Sequence, residues 1–146
     1  MPTFNPGQIL TAADLTGATG AWTSYTPTDT NITVGSGTRT AAYQMLTVKT
    51  CIFRWNLAFG TGSTFGAAPS VGLPFAASAF RQVIGGVQYG EVGVRNWAGV
   101  GLIEPSASVA YLVNAATGSF ITTTAPFTWN GADADWIAVT GIYEIA

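Results

Sequence analysis

An antiparallel all-β sandwich is the fold this sequence predicts, and three observations carry the prediction. Apolar and polar residues alternate along Thr47 to Phe59 and again along Asp135 to Ile145, the period of a strand with one face in a core. From Trp22 onward no stretch of useful length shows a helical period. Gly-rich turn signals separate the apolar runs at roughly 8–15-residue spacing, the rhythm of sandwiches and barrels.

The elements follow in chain order. Residues 1–21 read as an N-terminal arm and 22–146 as the β-domain, with the composition shifting at Gly20. Within the arm, Pro6-Gly7 marks a turn, and Thr11 to Leu15 forms one helical turn with Thr11 as N-cap and Asp14 reaching back. Gly17 and Gly20 end it. A helix this short does not persist unaided, so it needs a surface to dock on. Phe4, Ile9, Leu10 and Leu15 are the apolar residues it would bury there. In the β-domain, a Thr-rich strand over Thr28 to Val34 ends at Gly35-Ser36-Gly37 and a second runs from Thr38 to Leu46. Thr47 to Phe59 places Cys51, Phe53, Trp55, Leu57 and Phe59 on one face and Arg54 and Asn56 on the other. Shorter strands are expected near 69–73, 81–95, 97–103 and 109–115, with turns at Gly60-Thr61-Gly62 and at Asn114 to Gly118. The last strand puts Ile137, Val139, Tyr143 and Ile145 on one face.

Composition narrows the function. Of 146 residues, five are basic and seven acidic, against about 36 charges on an ordinary domain of this length. There is no histidine, so a Ser-His-Asp or Cys-His catalytic set and a histidine zinc site are excluded. A single cysteine excludes an internal disulfide and a cysteine zinc site. A net charge of −2 argues against nucleic-acid binding. No run approaches 18 apolar residues and the N-terminus lacks a basic and apolar leader, so neither membrane insertion nor secretion is expected, and synthesis is assigned to a cytoplasm. Apolar residues make up 48% of so sparsely charged a chain. That balance points to a surface that faces other protein, hence to an oligomer.

Candidate chemistry is sparse. Asn130, Asp133 and Asp135 offer oxygen ligands for calcium, but without EF-hand spacing they read as a polar hairpin. Glu91 and Glu104 are possible glycosidase carboxylates that no spacing favours. The stretch Gly60 to Gly66 lacks the lysine of a phosphate loop and reads as a turn. Trp22, Tyr25, Trp97, Tyr111 and Trp129 are either a sugar-stacking set or core and interface aromatics. Of these, Trp97, Tyr111 and Trp129 are the candidates for contact with a host or partner. Cys51 lies on an apolar strand face and reads as inert. No cofactor and no metal is expected.

Three stretches carry a resemblance. Phe4-Asn5-Pro6-Gly7-Gln8-Ile9-Leu10-Thr11-Ala12-Ala13-Asp14-Leu15 is similar to the N-terminal segment of many bacteriophage minor tail and tail-fibre proteins, roughly F-x-x-G-x-x-L-T-A-A-x-L-N, with Thr16 where that family usually has Asn. Trp22 to Pro27, Val34 to Thr38 with Ala42-Tyr43, and Leu57 to Gly66 with Leu73-Pro74 resemble the first part of a small β-domain of tailed phages. Pro126-Phe127-Thr128-Trp129 with Gly141-Ile142-Tyr143-Glu144 resembles its end. The family usually has a Gly and a basic residue after the Tyr, where this chain has Gln44-Met45-Leu46-Thr47-Val48. The resemblance implies a jelly-roll-like, usually trimeric virion protein without enzymatic activity. It would sit on a tail tip or fibre, anchored to other virion proteins through Phe4, Ile9, Leu10 and Leu15, and meet a host-surface glycan or protein. A capsid decoration or head fibre with the same fold shares these features, and a polysaccharide-binding or depolymerising enzyme is the third expectation, disfavoured by the scarcity of carboxylates.

Overall fold

The computed structural model describes residues 20–130 and 134–146. The expected helical turn and the anchoring residues Phe4, Ile9, Leu10 and Leu15 lie outside the described residues. So does most of the proposed arm. At its described end, the Gly20 carbonyl accepts a hydrogen bond from Gln44 Nε2 (2.8 Å).

The described residues form nine strands and no helix: β1 Thr23–Ser24, β2 Thr30–Thr33, β3 Thr38–Met45, β4 Thr50–Ala58, β5 Thr64–Gly72, β6 Gln82–Glu91, β7 Arg95–Ile103, β8 Val109–Asn114 and β9 Trp136–Glu144. All pairings are antiparallel, in the order β1-β3-β4-β9-β6-β7-β8-β5-β2. The all-β antiparallel sandwich-like reading is therefore the observed one. Within it, β3–β4 and β6–β7–β8 are hairpin neighbours, β9 slots between β4 and β6, and β5 crosses over to β8.

Chain length forces this sheet to curl. Its two outermost strands, β1 and β2, are joined only by residues 25–29. Flat, nine strands would hold those edges about 38 Å apart. The connection from Ser24 to Thr30 reaches at most about 21 Å. The sheet must therefore roll until its edges approach, and residues 23–33 become a strap across the seam. Asp29 fastens it. Its Oδ2 accepts from Arg39 Nη1 (2.8 Å) and Trp55 Nε1 (3.2 Å), and its Oδ1 from the Gly72 amide (2.8 Å). Tyr25 adds a hydrogen bond from its hydroxyl to the Gly72 carbonyl (2.9 Å).

The alternation read along Thr47 to Phe59 is the core. Cys51, Phe53, Trp55 and Leu57 are fully buried and Phe59 nearly so, while Arg54 and Asn56 are exposed. β9 pairs with β4 over all nine positions, from Thr50↔Glu144 to Ala58↔Trp136, and contributes Ile137, Val139 and Tyr143 to the same interior. Boundaries moved where turn chemistry cut a run. The expected 81–95 strand ends at Glu91, because Gly93 (φ 80°) and the Val94 N–H to Glu91 carbonyl bond (3.1 Å) turn the chain into β7. Thr47 to Lys49 belong to the β3–β4 turn, closed by Leu46 N–H on the Thr50 carbonyl (2.9 Å).

One core polar atom lacks a partner among the described residues: the Ser70 hydroxyl on β5. Burying a hydroxyl unpaired costs about 1–3 kcal/mol. Ser70→Ala is therefore expected to raise the unfolding free energy by about 1 kcal/mol, read as a higher urea midpoint. A loss of stability of that size would show that the hydroxyl is satisfied.

Candidate functional site

A column of aromatic rings rises from the core to one end of the rolled sheet. Phe59 follows β4, Phe65 begins the inner face of β5, and Trp129 and Phe127 come from the loop between β8 and β9. Phe59 stacks on Trp129 (4.9 Å between centroids, 17°) and meets Phe65 edge-on (5.0 Å). Phe127 lies 4.3 Å from Trp129 and stacks under Trp97 of β7 (4.4 Å, 22°). The Arg95 guanidinium also lies over the Trp97 ring, 4.5 Å from its centroid. The loop that supplies these rings is held by Trp129 Nε1 on the Thr122 carbonyl (2.9 Å) and by Asp135, whose Oδ1 accepts from Val92 N–H (3.1 Å) and Oδ2 from Asn130 N–H (2.7 Å).

At the top of this column lies a cleft of about 330 Å3. Arg95, Trp97, Phe120 and Pro126 give it an apolar floor with one guanidinium at the edge, and Asn114, Thr117 and Ser119 give it amide and hydroxyl groups. The polar side is a tight turn: Gly118 N–H bonds the Asn114 carbonyl (2.9 Å), Asn114 N–H the Ser119 carbonyl (2.8 Å), and Asn114 Oδ1 accepts from Ala116 N–H (2.9 Å). Phe120 is 43% exposed and leans on Tyr111 (5.6 Å between centroids). A second, more polar depression of about 310 Å3 lies on the outer face between β1, β3 and β4, where Arg54 covers the exposed ring of Trp22 (4.5 Å).

The aromatic candidates thus part company. Trp97 lies half-buried in the cleft wall and Tyr111 half-buried on the outer face, with Phe120 lining the cleft between them. Trp129 is a correction: it is buried in the aromatic column, and its N–H is taken by a backbone carbonyl, so almost no ring surface is left for a partner. Sequence reading missed Phe120 and Arg95. A lone Phe before a Thr run and an Arg after a turn carry no periodic signal, and only the hairpin and the folded-back loop bring them together. The remaining candidates disperse. Asp133 lies outside the described residues, and Asp135 acts as a backbone clamp rather than a loop ligand. Glu91 and Glu104 sit at opposite ends of the β6–β7 ladder, roughly 30 Å apart along the strands, far beyond a glycosidase pair. Glu104 instead holds the exposed Arg81 (2.8 Å). The Gly60 to Gly66 stretch is a turn only as far as Ser63, with Ser63 N–H on the Gly60 carbonyl (3.0 Å) and Ser36 N–H on the Thr61 carbonyl (3.0 Å); Thr64 to Gly66 already open β5, where Thr64 and Phe65 pair with β2.

No protein-family model, curated protein or solved structure matches the chain. Among the described residues, no three His, Cys, Asp or Glu side chains gather as a metal site, and no helix is long and apolar enough to cross a membrane.

Titration behaviour is dominated by burial. Tyr25, Tyr89 and Tyr143 are all pushed well above the ordinary phenol value by desolvation, with Asp29 adding to the effect at Tyr25 and Cys51 at Tyr143. Each hydroxyl donates to a backbone carbonyl, of Gly72, Val113 and Phe75 respectively (all 2.9 Å). The folded state therefore keeps these protons where the unfolded chain gives them up. Their share of the stability is flat below the unfolded phenol pKa of about 10 and falls as pH rises through it, by at most about 1.4 kcal/mol per pH unit for each phenol. A thermal melt series from pH 8 to 11 at fixed chain concentration should show Tm beginning to drop above about pH 8.5, where the thiol of the unfolded chain ionises, and dropping more steeply at about pH 10 as its phenols follow. Burial also raises the Cys51 thiol, opposed by its hydrogen bond with Tyr143. Native protein should leave a thiol reagent unconsumed at pH 8 and react once unfolded.

Proposed function

We propose that the chain is a non-enzymatic structural protein of a bacteriophage virion, an oligomeric and most simply trimeric surface component of a tail tip or fibre that contacts the host surface. The observation that carries the reading is an apolar row on the outer face of a chain with almost no charge to spare. Across the consecutive strands β4, β9, β6, β7 and β8, the outward residues Ile52, Ile142, Val83, Leu102 and Tyr111 follow one another, with Ile52↔Ile142, Val83↔Leu102 and Leu102↔Tyr111 in direct register. Val83 and Ile142 are more than half exposed. Such a row suits burial against a second copy of the same chain. The similarity of Phe4 to Leu15 to phage tail segments supports the virion setting. Catalysis is disfavoured because Glu104 lies at the far end of the β6–β7 ladder from Glu91 and holds Arg81, while Asp135, close to Glu91, is taken up by two backbone N–H groups. A capsid decoration is the second reading, favoured by a single β-domain with no shaft among the described strands.

Mass photometry of the purified chain is expected to give about three subunits, and Val83→Glu with Ile142→Glu to give folded, smaller species. A soluble monomer at micromolar concentration would remove the oligomer from the proposal. Deleting residues 1–20 is expected to leave a folded oligomer that no longer enters particles. Particle imaging with a labelled chain separates tail from shell, and its absence from both would end the virion reading.

A further inference from the structure

The geometry points to the cleft beside Trp97 as a binding site for a neutral saccharide. The inference gives the host contact of the proposed virion role a ligand class and, for its biological setting, rests on that role.

Four features of the cleft combine. Its floor is apolar and partly aromatic, with the Phe120 ring open to solvent at its edge. A pyranose ring carries an apolar face of C–H groups that packs on such a surface and releases its water. Around that floor stand the groups a ring of hydroxyls needs: the Asn114 amide, the Thr117 and Ser119 hydroxyls and the Arg95 guanidinium. These donors are held in place rather than floppy. The Trp97 ring beneath Arg95 is itself stacked on Phe127, and Asn114 is fixed by the turn it closes. A polar group already oriented loses less entropy on binding. The cleft's volume lies at the lower end of small-molecule sites, enough for a short stretch of sugar units and too small for a folded protein element.

Charge selects a neutral ligand. No carboxylate lines the cleft, and Arg95 is its one cation. Directly across the β6–β7 hairpin from Arg95 stands Glu91, in register with it. Glu91 offsets part of the positive field of Arg95, so an acidic glycan gains less from Arg95 than from an unaccompanied cation. A neutral hydroxyl accepts from Arg95 without meeting that opposition.

The test uses the full chain and a panel of four-unit oligosaccharides, namely chito-, cello-, malto- and manno-tetraose, with a uronic-acid oligomer as charge control. Binding is read by tryptophan fluorescence and by saturation-transfer NMR. At least one neutral oligosaccharide is expected to bind saturably. Arg95→Ala and Phe120→Ser, both at exposed side chains, are expected to weaken it at least about tenfold while leaving the melting temperature near that of the parent. Trp97→Leu should also lose binding, but Trp97 packs on Phe127, so the two exposed variants carry the decision. The inference is overturned if no panel member saturates the protein up to about 10 mM. It is likewise overturned if binding survives both variants, or if only the uronic-acid oligomer binds. Location is scored separately, by mass spectrometry of purified particles. A chain found in particles that ignores every sugar would sink the cleft and keep the virion role, and a sugar-binding chain absent from particles would do the reverse.

Discussion

Trp55→Ala is expected to lower the stability of the folded domain by about 3–5 kcal/mol, enough to remove a large share of a typical domain's total. The ring is fully buried at the middle of β4, in register with Ala41 on β3 and Val139 on β9. Its removal opens a cavity that neither neighbouring strand can fill without leaving the ladder. The loss includes a polar share, because Trp55 Nε1 donates to Asp29 (3.2 Å) and so ties the core to the strap. The neighbouring substitution supplies the contrast. Arg54 points outward and covers the half-exposed Trp22 ring, a cation–π contact worth about 0.5–1 kcal/mol at an exposed site. Urea unfolding of the two variants at one chain concentration measures both, since an oligomer's stability moves with concentration. Equal losses for Trp55→Ala and Arg54→Ala would mean that the outer side of β4 is covered as tightly as the core.

Asp29→Ala is expected to cost nearly as much, about 3–5 kcal/mol, for a different reason. Three donors converge on one buried carboxylate: Arg39 Nη1, Trp55 Nε1 and the Gly72 amide. The Asp29 side chain is 2% exposed and that of Arg39 26%, so the arginine left behind recovers some hydration and the loss falls toward the lower figure. Asp29→Asn should rescue little, because a side-chain amide offers one acceptor oxygen and brings an NH2 group toward three donors. The damage should also have a place. Since Asp29 joins the strap to β3, β4 and β5, residues 23–33 should exchange amide hydrogens faster and become the first site of proteolysis. Uniform acceleration over the whole sheet, with the strap no faster than β4, would show that the strap does not close the seam.

The fold class was legible because period-2 alternation is a local property. Cys51 to Phe59 and Ile137 to Tyr143 carry it in adjacent residues, and the face it marks is the face that is buried. Turn residues placed β3, β7 and β8 within a few positions for the same reason. Asp29 carried no such signal. Its partners Trp55 and Gly72 lie 26 and 43 residues away, and only the rolled sheet brings them together. Trp129 shows the limit for single side chains. A Trp in a Thr-rich loop is equally consistent with display and with burial, and its place was decided by whether that loop folds back over Phe59 and Phe65.

The candidate site divides along the same line. The sequence by itself determined that the chain is β-rich and short of charge, and that Trp97 and Tyr111 are aromatic residues to account for. Those properties belong to composition and to neighbours along the chain. Only the tertiary structure decided that β9 lies between β4 and β6, that a strap closes the seam, and that Phe120 and Arg95 join Trp97 around one cleft. Strand neighbours are chosen by competition among many possible pairings, and the winner depends on how all the apolar faces can be buried at once, a sum over long-range contacts that no local stretch of sequence contains.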